Sequence, residues 1–157
     1  MQRMTREPVT LRALRRLVLV LLGCGLAGTA VELVLLEHHE DSTQLVPLLV
    51  TAPALAVLGW HAVSPGRLSR VCLRVAMLAL VASGAAGVYF HYRGNLEFQL
   101  EMDPSLAGLE LALRVLRAKA PPALAPGHMA LMGLFGLAAT YRQQTGANIA
   151  TPIEENS

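Results

Sequence analysis

The feature that most constrains this chain is where its charges are missing. Four windows, 17–36, 45–63, 72–90 and 125–141, hold 75 residues between them and only two charges, Glu32 and Arg74. The other 82 residues carry the remaining 22 of the 24 charged side chains. Charged residues make up 15% of the chain and hydrophobic ones 54%, against roughly 25% charged in ordinary soluble domains. This distribution excludes an ordinary soluble globule, a disordered tail and a nucleic-acid binder of the basic-patch kind.

A helix rises about 1.5 Å per residue, so about 20 apolar residues cross the hydrocarbon core of a bilayer. Leu17–Leu36, Leu45–Val63 and Cys72–Phe90 have that length. Pro47 and Pro53 fall inside the second, which a membrane helix tolerates where neighbours re-satisfy the freed carbonyls. Ala125–Tyr141 is shorter and opens with Pro126, Gly127 and His128, and proline suits a first helical turn. The expected fold class is an all-α membrane protein, a single four-helix domain over 17–141 in up-down-up-down order.

Basic residues set the direction of insertion. Arg3, Arg6, Arg12, Arg15, Arg16, Arg67, Arg70, Arg74 and Arg142 fall on one side, and Arg93, Arg114, Arg117 and Lys119 on the other. Both the basic N-terminus, 1–16, and the polar tail, 142–157, are therefore expected in the cytoplasm, with the chain in a bacterial inner membrane. Arg74 sits near enough to a span end to snorkel. Leu21-Leu22-Gly23-Cys24 is shaped like a lipoprotein cleavage box, but apolar character runs on to Leu36, so the first span is expected to stay uncleaved. Cys24 falls at mid-span and Cys72 at a span end, a depth offset of around 10 Å that exceeds the reach of a disulfide.

The outer segment, 91–124, is the one sizeable connection. Gly94 is a natural helix stop. Leu96, Phe98, Leu100 and Met102 alternate with polar residues, which predicts an extended segment on the outer rim. Asp103-Pro104 reads as an N-cap and first helical residue. Leu106, Leu109, Leu113 and Leu116 then form one stripe, with Glu110 and Arg114 one turn apart. This predicts an amphipathic interfacial helix between spans three and four. Besides the lipid bilayer, the expected partner is a protein or a second copy docking on 96–118.

Gly23-Cys24-Gly25-Leu26-Ala27-Gly28 matches a dinucleotide-binding pattern letter for letter. That chemistry needs a preceding strand and an aqueous helix N-terminus, so within a span the small residues point to close helix packing instead. Gly84, Gly87, Gly133 and Gly136 are read the same way.

Four of the five histidines map to the outer side: His38, His39, His91 and His128. Glu37, Glu97 and the in-span Glu32 lie near them in the topology. Imidazole with carboxylate suits a transition metal, and facing imidazoles suit haem. The candidate metal set is therefore His39, His91, His128 and Glu32, with His38, Glu37 and Glu97 as secondary ligands. A carboxylate inside a span normally faces the bundle interior, and the faces carrying Glu32, His91 and His128 would form a polar shaft if they converged.

No nucleophile–base–orienter set is visible, so nothing points to an enzyme. Three functions are expected: a binding, accessory or assembly subunit; a metal- or haem-binding redox protein; and a small proton-coupled transporter using Glu32.

Overall fold

The computed structural model describes residues 9–35, 45–118 and 124–141. Those residues are 89% helical, in five helices and no strand. They are α1 (Val9–Leu35), α2 (Leu45–Val63), α3 (Arg67–Met102), α4 (Gly108–Leu116) and α5 (Ala125–Ala139).

Three of these, α1, α2 and α3, are long and apolar enough to cross a membrane. The fifth is equally apolar but has 15 residues, or about 22 Å, short of a hydrocarbon core of about 30 Å. The apolar side chains do not serve a protein interior alone. In the most apolar stretch of α1 only 17% of residues are buried, and in those of α2 and α3 22%. Leu14, Leu17, Val20 and Leu21 on α1 and Val71, Val75 and Leu78 on α3 are all exposed. A soluble monomer does not carry apolar surface on this scale, and a lipid solvent does not penalise it.

The protein core is a narrow seam built from one stripe per helix. Leu22 and Leu26 of α1, Ala54 and Leu58 of α2, Leu73, Met77 and Leu80 of α3, and Met129 and Met132 of α5 pack together. The helices touch in a cycle: α1 on α2, α2 on α3, α3 on α5, and α5 on α1. The α3–α5 contact is the closest, and glycine is the reason. A Cβ on Gly84 would lie 2.5 Å from the Pro126 carbonyl oxygen and 2.6 Å from the Ala130 nitrogen. A Cβ on Gly133 would lie 2.6 Å from the Met77 carbonyl oxygen. Later residues of α3 meet earlier residues of α5, so the two helices pass in opposite directions. A Cβ on Gly25 would lie 2.9 Å from the Met132 sulfur, a side-chain atom, while Gly28 has nothing within 4 Å, so the glycine motif of α1 serves packing at part of its length.

Pro53 lies inside α2 and withholds the N–H that would bond the Leu49 carbonyl. Pro126 sits in the first turn of α5, where no such N–H is needed.

Two local expectations are corrected. Residues 96–102 are not extended; α3 continues through them as a single helix of 36 residues. Gly94 does not stop it, because nothing there draws the backbone into a left-handed turn. Arg93 instead reaches one turn ahead to Glu97 at 2.6 Å, a pairing that only a helix makes. The amphipathic helix is present but starts at Gly108, not at Asp103. Asp103 Oδ1 accepts bonds from the Ser105 N–H at 3.0 Å and the Ser105 hydroxyl at 2.6 Å. This local turn holds the carboxyl below the usual carboxylate range and ends α3 instead of capping α4. Gly108 then takes φ +58°, a conformation that favours glycine.

Candidate functional site

The outer histidine set is only partly within view. His38, His39 and Glu37 lie outside the described residues. His91 is exposed on α3, where it lines a shallow depression with Phe90, Gly94 and Asn95. His128 is exposed near the start of α5. Glu97 is engaged with Arg93. Among the described residues, no three histidine, cysteine or acidic side chains gather where a metal ion would sit.

Glu32 does not face the interior. It is exposed, and its neighbour Leu33 takes the buried place. The inner stripe of α1 runs through Leu22, Leu26 and Leu33, and Glu32 is turned about 100° from it. Gly84 is buried against α5 and Met132 within the core. The space where a polar shaft would run is thus filled by helix–helix contact.

Polar organisation instead concentrates at the opposite end of the helices, where α1 and α3 carry arginines and α5 finishes. Arg74 of α3 donates from Nε to the Thr140 hydroxyl at 3.4 Å and from Nη2 to the Thr140 carbonyl oxygen. Arg15 of α1 donates from Nη2 to the Tyr141 carbonyl oxygen at 2.6 Å. Thr140 itself is fully buried and turns its hydroxyl back to the Gly136 carbonyl at 3.0 Å. Two guanidinium groups from two helices therefore close the last carbonyls of a third, where the helix dipole is negative. Arg70, one turn before Arg74, feels the like charges of both Arg74 and Arg15.

Beside this lies the buried turn between α2 and α3. His61 is 3% exposed and Ser69 1%. Ser69 Oγ donates to the Ser64 carbonyl at 2.9 Å and accepts from the Gly66 N–H at 3.0 Å. A hydroxyl has one proton, so the 3.0 Å contact with His61 Nδ1 is an imidazole N–H donating to Ser69. The serine–histidine pair is a structural clasp. Its hydroxyl is enclosed and its proton committed, which leaves no nucleophile.

Residue spacing alone reads Arg74 as a snorkelling side chain and passes over His61. The Ser64-Pro65-Gly66 turn flanked by His61 and Ser69 is the signal that could have found the clasp. Nothing in the spacing pairs Arg15 or Arg74 with residues 126 and 66 positions away. Cys24 and Cys72 are free thiols.

At the far end, Asn95 Nδ2 donates to the Val115 carbonyl at 3.4 Å and ties α4 to α3. Val115 is fully buried, whereas Leu109, Leu113 and Leu116 are exposed on one face of α4. Glu110 and Arg114 pair at 2.8 Å on the adjoining face.

No known protein family, curated protein or solved structure matches the chain.

Proposed function

We propose that the chain is a small integral membrane protein with four spans in up-down-up-down order. Both termini face the cytoplasm of a bacterial-type inner membrane, and the protein acts as a binding, accessory or assembly subunit. The observation that carries this reading is how the molecule uses its surface and its interior. The interior is closed by glycine contacts between α3 and α5, and the space between those helices is too tight for a substrate. The end of α3 and the whole of α4 stand apart from that seam, and α4 presents Leu109, Leu113 and Leu116 outward. An apolar face beside a charged face suits an interfacial helix that rests on lipid and receives a partner along its polar edge.

The short α5 fits as a fourth span because it packs against α3 and α1, so lipid mismatch at its ends is relieved by protein. Gentle solubilisation of native membranes, followed by cross-linking from cysteines placed at Leu109 and Leu116, tests the reading. Recovery of one defined partner at both positions supports it. A monodisperse chain that cross-links to nothing overturns it.

A further inference from the structure

We propose that two copies of the chain associate in the membrane along the crevice between α1 and α5, with Glu32 of each copy bonded to His128 of the other. The interface rests on the membrane reading above and is separate from the α4 surface. Arg15 meets Tyr141 and Gly25 meets Met132, so α1 and α5 run in opposite directions. Glu32 lies two turns after Gly25 on the same side of α1, and His128 lies one turn before Met132 on the same side of α5. Both therefore flank the crevice beyond the Gly25–Met132 contact, about 10 Å and 6 Å from it along the helix axes. Helical side chains lean toward their own N-terminus, which carries Glu32 inward and His128 outward, toward a common depth.

Both side chains are exposed, and no hydrogen bond or ion pair joins them within the single chain. A carboxylate at the depth of Glu32 faces hydrocarbon, where a polar group is costly unless it is bonded. Its inward lean takes it away from the outer surface, so it does not snorkel as a residue at a span end does. The other charge within the spans, Arg74, is held by Thr140 at the opposite end.

Charge complementarity selects a second copy as the occupant. Every copy inserts in the same direction, so a second chain brings one acid and one base to the same depth. A twofold axis then pairs each Glu32 with a His128 and leaves neither over. The imidazole N–H donates and the carboxylate accepts. Cys24 and Gly28 precede Glu32 on one i, i+4 row of α1. Cys24 is exposed and the space beside Gly28 is open, so nothing on that row holds the two α1 helices apart.

The test uses the native Cys24 as reporter. The full chain carrying Cys72→Ser is reconstituted in phosphatidylcholine vesicles and oxidised with copper phenanthroline. Beforehand, resistance of the membrane-bound chain to alkaline carbonate checks the membrane reading. Release at that step overturns both readings, whereas failure to cross-link overturns only the interface. The expected product is a disulfide-linked dimer whose yield survives dilution of the protein about tenfold in lipid. Glu32→Leu and His128→Leu should each weaken association about tenfold, the loss of a charge-assisted hydrogen bond. Glu32→Gln should keep most of it, because the amide oxygen still accepts from the imidazole. Alanine at both His38 and His39, which lie outside the described residues, should change nothing, and a loss there overturns the assignment to His128. A cysteine at Leu78, exposed on α3, in a chain lacking Cys24 and Cys72 should cross-link only by collision, with a yield that falls on dilution. Equal behaviour of the Cys24 and Leu78 positions, or full cross-linking in Glu32→Leu, overturns the interface. If the leucine variants fold poorly, the Cys24 dimer and its persistence on dilution still decide the matter.

Discussion

At the scale of the residue, a single methyl group separates two kinds of glycine in this chain. A Cβ on Gly84 meets backbone atoms of Pro126 and Ala130 at 2.5 and 2.6 Å, and backbone cannot step aside. Gly84→Ala is therefore expected to cost about 2 kcal/mol, in the range of other overpacking substitutions. Gly28 has open space at the same position, so Gly28→Ala should be neutral or stabilising by less than about 1 kcal/mol. Paired thermal unfolding in detergent decides the matter, and equal effects at the two sites would refute the packing account. Ser69 makes a similar case with hydrogen bonds. Ser69→Ala strands the Gly66 N–H and removes the Ser69 contact of His61, at a cost of about 1–3 kcal/mol. Retention of full stability in that variant would show that the clasp is dispensable. The glycines were legible in the sequence as small residues within spans. Which of them touch another helix was not, because contact depends on the rotation of each helix about its axis.

At the scale of the element, α3 is the longest helix. Its 36 residues extend about 54 Å, well beyond a hydrocarbon core of about 30 Å. The stretch carrying Arg93–Glu97 is the part expected in water. In a background lacking Cys24 and Cys72, a cysteine at Phe98 should react with a charged maleimide and one at Leu78 should not. Both side chains are exposed from the protein, so only the surrounding solvent distinguishes them. Labelling of both would place Leu78 in water too. The alternating pattern of Leu96 to Met102 misleads because period two and period 3.6 are hard to separate over seven residues. The Arg93–Glu97 spacing is the better guide. Past Met102, the Asp103–Ser105 turn carries a pH signature. The folded carboxyl is held below its ordinary range by the Ser105 hydroxyl and N–H. The turn's stability is thus fully present above the ordinary carboxylate pKa and is lost as pH falls through the depressed folded value. Ser105→Ala should move the Asp103 titration up toward the ordinary range, read by carboxyl NMR; an unmoved midpoint would assign the depression to another cause.

At the scale of the molecule, charge is sorted along the helix axes. Arg12, Arg15, Arg16, Arg67, Arg70 and Arg74 stand at one end, and the described carboxylates stand at the other. Reporter fusions at the two termini should both read the cytoplasmic side, and a split result would refute the four-span topology. The same sorting explains why the described histidines do not gather into a site. Imidazoles near one end of several helices share a depth but not a direction, and His91 points to the exposed surface of α3. Glu32→Gln is expected to leave stability within about 0.5 kcal/mol of wild type, as surface changes do; a large loss would mean the carboxylate is buried in the assembled membrane form.

The sequence by itself determined the helical class, three helices long and apolar enough to cross a membrane, and the segregation of charge among the described residues. These come from composition along the chain, because a bilayer tests each segment for length and polarity separately. It also specified the Glu110–Arg114 pair, which lies within one helix turn. Tertiary structure decided everything that depends on two helices at once. It chose Gly84 and Gly133 over Gly28 for close contact, turned Glu32 away from the seam, enclosed His61 with Ser69, and brought Arg15 and Arg74 to the end of α5. Those outcomes depend on helix rotation and pairing, which residue spacing along a single helix does not encode.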